Sequence, residues 1–186
     1  DMMLCIADAV IEDKGVNFLN IARHFKTWAE GMPMGIGSHT YKVLTIGDYA
    51  EKPFEVSYMA WKMSRYQSAA NGGLMRTSVV GLFPKETTAC AEKICQLTHY
   101  DPRCVGSCVI VSELIHALVY GIEPPTRSQM KDIAKQYDVE ICDYIDNAWA
   151  EPHVKPLVDY DNWGYTLSTL SVVLWSYWHA SSFEEG

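Results

Sequence analysis

Nine residues, Ser68-Ala69-Ala70-Asn71-Gly72-Gly73-Leu74-Met75-Arg76, bring small side chains, paired glycines and a cation together between two apolar runs. Paired glycines let a backbone take positive φ and approach another group closely. Asn71 tolerates the left-handed region and can bond its own turn. A turn that opens a helix presents free N–H groups, and these suit a phosphate. The same nine residues also read as a plain helix–helix connection with a buried arginine at its exit. Two histidines stand elsewhere without an evident role. His24 lies beside an apolar helical face, and His39 lies near a helix start.

The bulk properties narrow the chemistry. The chain has 186 residues, 48% of them hydrophobic and 20% charged, the balance of one globular domain with a real core. A net charge of −8 argues against a general nucleic-acid surface, which needs a basic face. The run Leu170 to Trp178 is too short to span a bilayer, and no signal peptide is visible. The cysteines are Cys5, Cys90, Cys95, Cys104, Cys108 and Cys142. None forms a C-x-x-C pair, which argues against a zinc knuckle, and most sit on apolar helical faces as reduced core residues of an intracellular protein.

Helices must position the nine residues, because no strand-and-turn rhythm runs through the chain. Periodicity predicts an all-α fold. A first helix carries Met3, Ile6, Val10 and Ile11 and stops at Gly15. Asn17 caps a second, with Phe18, Ile21, Ala22, Phe25 and Trp28 on one face and Gly31 closing it. Ser38 is expected to cap a third. Pro53 opens a helix that runs to Tyr66, and Leu74 to Phe83 forms another behind the glycines. Pro84 restarts a helix to Leu97. Asp101 as N-cap and Pro102 at N1 then open the clearest helix, which Gly121 ends. Gly106 and Ser107 on it allow close packing, while Glu113 and His116 face outward or toward a pocket, with outward preferred. One mixed pattern covers Ile133 to Trp149, and a loop covers Glu151 to Asp159. A last helix starts near Asp161 or Asn162. It is apolar almost all round, which places it at the centre of the bundle.

Four matches in order resemble the ADP-ribosylglycohydrolase family. Asn71-Gly72-Gly73-Leu74-Met75-Arg76 is similar to its N-G-x-x-M-R signature, and Thr98-His99-Tyr100-Asp101-Pro102 to its T-H-x-D-P. Gly164-Tyr165-Thr166-Leu167-Ser168-Thr169-Leu170, followed by Ser182-Phe183-Glu184-Glu185, resembles the late G-Y-x-x-x-T-L helix and S-F-x-E-A tail. Trp28-Ala29-Glu30-Gly31 with Gly35-Ile36-Gly37 is the fourth. Gln67 departs from the pattern, standing where a glycine is often seen.

The resemblance implies a compact orthogonal multi-helix bundle, with residues 1–186 as a helical domain that is part of a longer one. It implies a cytoplasmic hydrolase that removes ADP-ribose from a modified side chain or related conjugate by cleaving the ribose C1″ glycosidic bond, with two magnesium ions assisting. A non-catalytic ADP-ribose-binding or structural protein of the same fold is the alternative. On the family template Asp1 is a magnesium ligand, while Ser68, Asn71 and Gly72 line the diphosphate and ribose region. Met75 and Arg76 support that loop from behind, and His99 lies near a phosphate or the distal ribose. Arg76 also reads as a tie from the loop to a helix C-terminus. The family's acidic segments, T-D-D and D-x-D-T, are expected before and after this chain. Asn71→Ala is expected to weaken ligand binding more than stability.

Overall fold

The computed structural model describes residues 1–157 and 163–186. Among them are ten α-helices and three 3-10 turns, with no strand. The first five helices are α1 (Met2–Asp13), α2 (Phe18–Glu30), α3 (Ser38–Leu44), α4 (Pro53–Met63) and α5 (Gly72–Thr77). The others are α6 (Thr87–Gln96), α7 (Pro102–Tyr120), α8 (Arg127–Ala134), α9 (Glu140–Ala150) and α10 (Thr166–His179).

Local chemistry sets several boundaries as the sequence predicts. Asn17 accepts from the Asn20 amide at 3.3 Å and caps α2. Asp101 accepts from the Arg103 amide at 3.0 Å, with Pro102 at N1 of α7. Gly121 ends α7 at φ 66, a conformation that favours glycine.

Helix α7 is the centre of the molecule. Eleven of its residues are buried. Two clusters of buried apolar side chains meet on it. Cys108, Ile110 and Leu114 join a cluster with α5, α8, α9 and α10. Val109 joins the other, built from α1 to α4 and α6 around Ile21, Phe25 and Leu44. Full burial of each such aliphatic side chain contributes about 1.5–3 kcal/mol. By length and composition α7 could cross a membrane, yet 61% of its most apolar window is buried inside the protein.

The structure corrects the sequence reading in several places. α7, not the last helix, is central, because one side of α10 (Val172, Val173, Trp175 to Trp178) is only half covered. The expected start of the last helix at Asp161 or Asn162, and the end of the loop before it, lie outside the described residues. The pattern over Ile133 to Trp149 is two helices, and Thr126 and Gln129 form a reciprocal cap on the first. Ser38 is the first residue of α3 and makes no cap; Gly37 holds the cap position. α4 stops at Met63 because Arg65 and Tyr66 take φ 57 and 63. α5 gives way to 3-10 turns over Ser78–Leu82. α6 starts at Thr87 rather than Pro84. Glu113 and His116 are half-buried, bonded to the Thr88 hydroxyl and the Gly81 carbonyl.

Candidate functional site

A cleft of about 440 Å³ opens where four distant parts of the chain meet. Asp1, Met2 and Met3 come from the start of α1, and Trp28 from the end of α2. The loop Gly35-Ile36-Gly37 leads into Ser38, His39 and Thr40 of α3. Ala70, Asn71, Gly72, Met75 and Arg76 form the opposite wall, and Gly164 closes it. A cleft of this size is in the range that takes a small organic ligand.

The Asn71 turn is stitched to the start of α10. Its amide N–H donates to the Gly164 carbonyl at 2.7 Å, and the Thr166 amide donates to Ala69 at 2.9 Å. The Asn71 side-chain nitrogen donates to Thr169 Oγ1 at 3.0 Å and to the Trp163 carbonyl at 3.3 Å. The Cys104 thiol donates to the Ala70 carbonyl at 3.3 Å.

Neither Gly72 nor Gly73 uses positive φ, and Asn71 is right-handed at φ −77. The glycines serve close approach instead. A Cβ on Gly72 would lie 3.2 Å from Thr40 Oγ1 and 3.4 Å from the His99 ring. One on Gly73 would lie 3.1 Å from His99 Cγ and 3.2 Å from Cys95 Sγ. The short α5 therefore rests directly on His99 and Cys95.

Beneath this wall Arg76 is 3% exposed. It donates to the Gly72 carbonyl at 3.2 Å and to the Ile94 and Cys95 carbonyls at 3.3 Å, at the end of α6. The guanidinium stands 4.9 Å from the Phe25 ring centroid. This is the tie to a helix C-terminus that the sequence suggested, and no carboxylate among the described residues pairs with it. Burial disfavours its charged form, but the carbonyls partly compensate.

The two histidines change places relative to expectation. His99 is completely buried behind the glycines and does not line the cleft. Its Nδ1 bonds the Thr98 hydroxyl at 2.7 Å, and its Nε2 has no partner. Burial first, then the charge of Arg76 and then His39 push its pKa well down, so it is neutral. His39, given no role by the sequence, faces the cleft. Its Nε2 lies 2.8 Å from the Thr98 carbonyl, which can only accept, so this nitrogen carries the proton. The ring meets His99 edge to face at 4.7 Å. Burial above all holds His39 neutral, although the bond to Thr98 opposes the shift. Thr40 was likewise unforeseen; its partners at the wall are far away in sequence.

Three more expectations need correction. Met75 does not support the loop from behind; it is 64% exposed on the cleft. Ser68 does not reach the cleft. The left-handed Arg65-Tyr66 turn precedes it, and its hydroxyl is buried without a partner. Asp101 is more than a cap. At 1% exposure it also accepts from Arg103 Nε and NH2 at 2.9 Å and from Trp61 Nε1 at 3.1 Å.

Asp1 lies on the cleft, where its Oδ2 accepts from the Trp28 indole at 3.3 Å. It is the only carboxylate on the cleft wall among the described residues. A magnesium pair needs several oxygen ligands. No group of three or more His, Cys, Asp or Glu among the described residues could hold a metal. These residues do not fit a two-magnesium site.

The fold and cleft define a helical protein with a largely apolar cleft of small-molecule size, and the sequence comparison gives the family. The chain belongs to the ADP-ribosylglycohydrolase family, whose sequence model matches residues 1–186. No curated protein and no solved structure is significantly similar to it.

Proposed function

We propose that this cleft binds the ADP-ribose part of an ADP-ribosylated substrate and that the protein hydrolyses the bond at ribose C1″. One observation carries the reading. Three of the four stretches that resemble the family, far apart in sequence, meet at the cleft through Trp28 and Gly35–Gly37, Asn71–Arg76 and Gly164, and the fourth, through His99, packs behind the glycines of its wall.

In this reading the bond from C1″ to the carrier breaks and the carrier leaves with the electron pair. A water oxygen bonds to C1″ and gives up a proton, which ends on the departing carrier. The transition state is oxocarbenium-like, and a carboxylate such as Asp1 can stabilise its positive charge. The Arg76 charge in the cleft wall favours an anionic diphosphate. Neutral His39 and the Thr40 hydroxyl offer hydrogen bonds to the ligand. Asp1 can supply one magnesium ligand but not the rest. That single carboxylate favours a second reading, in which the chain binds ADP-ribose without cleaving it. The six unpaired thiols support a reducing, cytoplasmic setting.

Calorimetric titration of ADP-ribose, with and without magnesium, tests the binding. Saturable binding is the expected result. Tightening by magnesium supports the hydrolase, and indifference to magnesium supports the binding protein. A folded sample that ignores ADP-ribose in both buffers overturns both readings.

A further inference from the structure

His39 stands on the cleft with one ring nitrogen committed and the other free. Its Nε2–H donates to the Thr98 carbonyl at 2.8 Å, which leaves Nδ1 bare in the neutral ring, able to accept but not to donate. Among the described residues nothing bonds Nδ1, yet it is not sealed in the interior as the orphaned His99 Nε2 is. The ring is held from two sides. It meets the His99 ring edge to face at 4.7 Å, and His99 is itself bonded to the Thr98 hydroxyl at 2.7 Å. Both supports come from Thr98 and His99, so this pair acts on the cleft through His39.

A fixed acceptor restricts what can lie against it. Phosphate oxygens, ribose ring oxygens and the adenine ring nitrogens offer it no proton. The ribose hydroxyls and the adenine amino group of ADP-ribose do. Donors for a phosphate stand nearby instead. Arg76 donates to the Gly72 carbonyl at 3.2 Å, and a Cβ on Gly72 would lie 3.2 Å from Thr40 Oγ1, whose hydroxyl can turn to donate. A diphosphate drawn to this stretch of wall brings a ribose alongside, with the adenine one sugar further off.

We infer that His39 Nδ1 accepts from a ribose hydroxyl of the ligand and makes the cleft discriminate against ligands that lack it. The inference rests on the proposed reading of the cleft, and it holds for cleavage and for binding alone.

Nitrogen NMR of histidine-labelled protein and calorimetry test it. At neutral pH the free protein is expected to show His39 as the Nε2–H tautomer, and ADP-ribose is expected to shift the Nδ1 resonance. Titrations then compare ADP-ribose with its 2′-, 3′-, 2″- and 3″-deoxy analogues and with the inosine analogue, which lacks the amino group. One deoxy analogue is expected to bind wild type about three- to tenfold more weakly, the worth of one hydrogen bond. His39→Gln keeps a donor for the Thr98 carbonyl but sets no acceptor at the Nδ1 position. It is expected to lose the same factor for ADP-ribose and to bind ADP-ribose and that analogue alike. His39→Asn, whose amide oxygen can take the Nδ1 position, is expected to regain part of the preference. The ratio of two ligands in one sample does not change with the fraction of protein folded. An Nδ1–H tautomer in the free protein overturns the inference and leaves the reading of the cleft standing. So does a His39→Gln loss that is equal for ADP-ribose and every deoxy analogue, or one that vanishes only for the inosine analogue. Failure of wild type to bind ADP-ribose overturns the reading of the cleft and this inference with it.

Discussion

At the scale of single residues, Asn71 shows how a motif residue can serve both ligand and fold. Its side-chain nitrogen is committed to Thr169 and Trp163. Asn71→Ala is therefore expected to lower stability by about 1–2 kcal/mol as well as weaken ADP-ribose binding. Urea unfolding and ligand titration of the same sample separate the two losses. Asp101 is the stronger structural case. Asp101→Ala removes a cap and leaves Arg103 and the Trp61 indole without their acceptor. A loss of about 3 kcal/mol is expected in urea unfolding. What was legible here was local. Asn17, Asp101 and Gly121 act on residues a few positions away, and sequence spacing shows them. The His39 bond spans 59 residues and the Asn71 bond to Thr169 spans 98. No short pattern encodes such pairs. Turn chemistry and the resemblance pointed to Asn71 but not to its distant partners, and nothing pointed to His39.

Among the elements, glycines decide how closely helices pack. A Cβ on Gly81 would meet Ile115 Cβ at 2.6 Å and the Ser112 carbonyl at 2.9 Å, neither of which can swing away. A Cβ on Gly106 would meet Ile141 Cδ1 at 2.5 Å, the free end of a flexible side chain. Gly81→Ala is therefore expected to cost more than Gly106→Ala, about 2–3 kcal/mol against about 1, read from paired urea midpoints. At the start of α8, Thr126→Ala removes a reciprocal cap and is expected to cost about 1 kcal/mol. Helix existence was largely readable from apolar period, but helix limits were not. The breaks at Arg65-Tyr66 and at Tyr137–Val139 contain no glycine or proline to announce them. The centre of the bundle was misread because α10 has apolar residues on every side, while only contacts reveal which sides are covered.

On the scale of the whole molecule, the two neutral histidines link stability to pH. Burial lowers the pKa of both His39 and His99 in the folded state, whereas an unfolded histidine titrates near 6.5. The unfolded chain thus binds more protons below that value, and stability falls with pH. Their contribution is complete above about pH 7 and is lost progressively as the pH drops through the range below 6.5. The melting temperature is expected to fall from pH 7.5 to 5.5, before carboxylates dominate. His39→Asn is expected to flatten part of that fall.

The seam between the Asn71 turn and the start of α10 also has a kinetic meaning. Asn71 reaches across 92 residues to Trp163, so the cleft closes only after a long stretch of chain has been ordered. Contacts this distant in sequence tend to form late in folding. A ribosome must have released the chain at least as far as α10 before a ligand could find its site. ADP-ribose is then expected to leave the refolding rate nearly unchanged and to slow unfolding, because it holds contacts absent from the transition state. A newly made chain would be folded by its core and finished by its cleft.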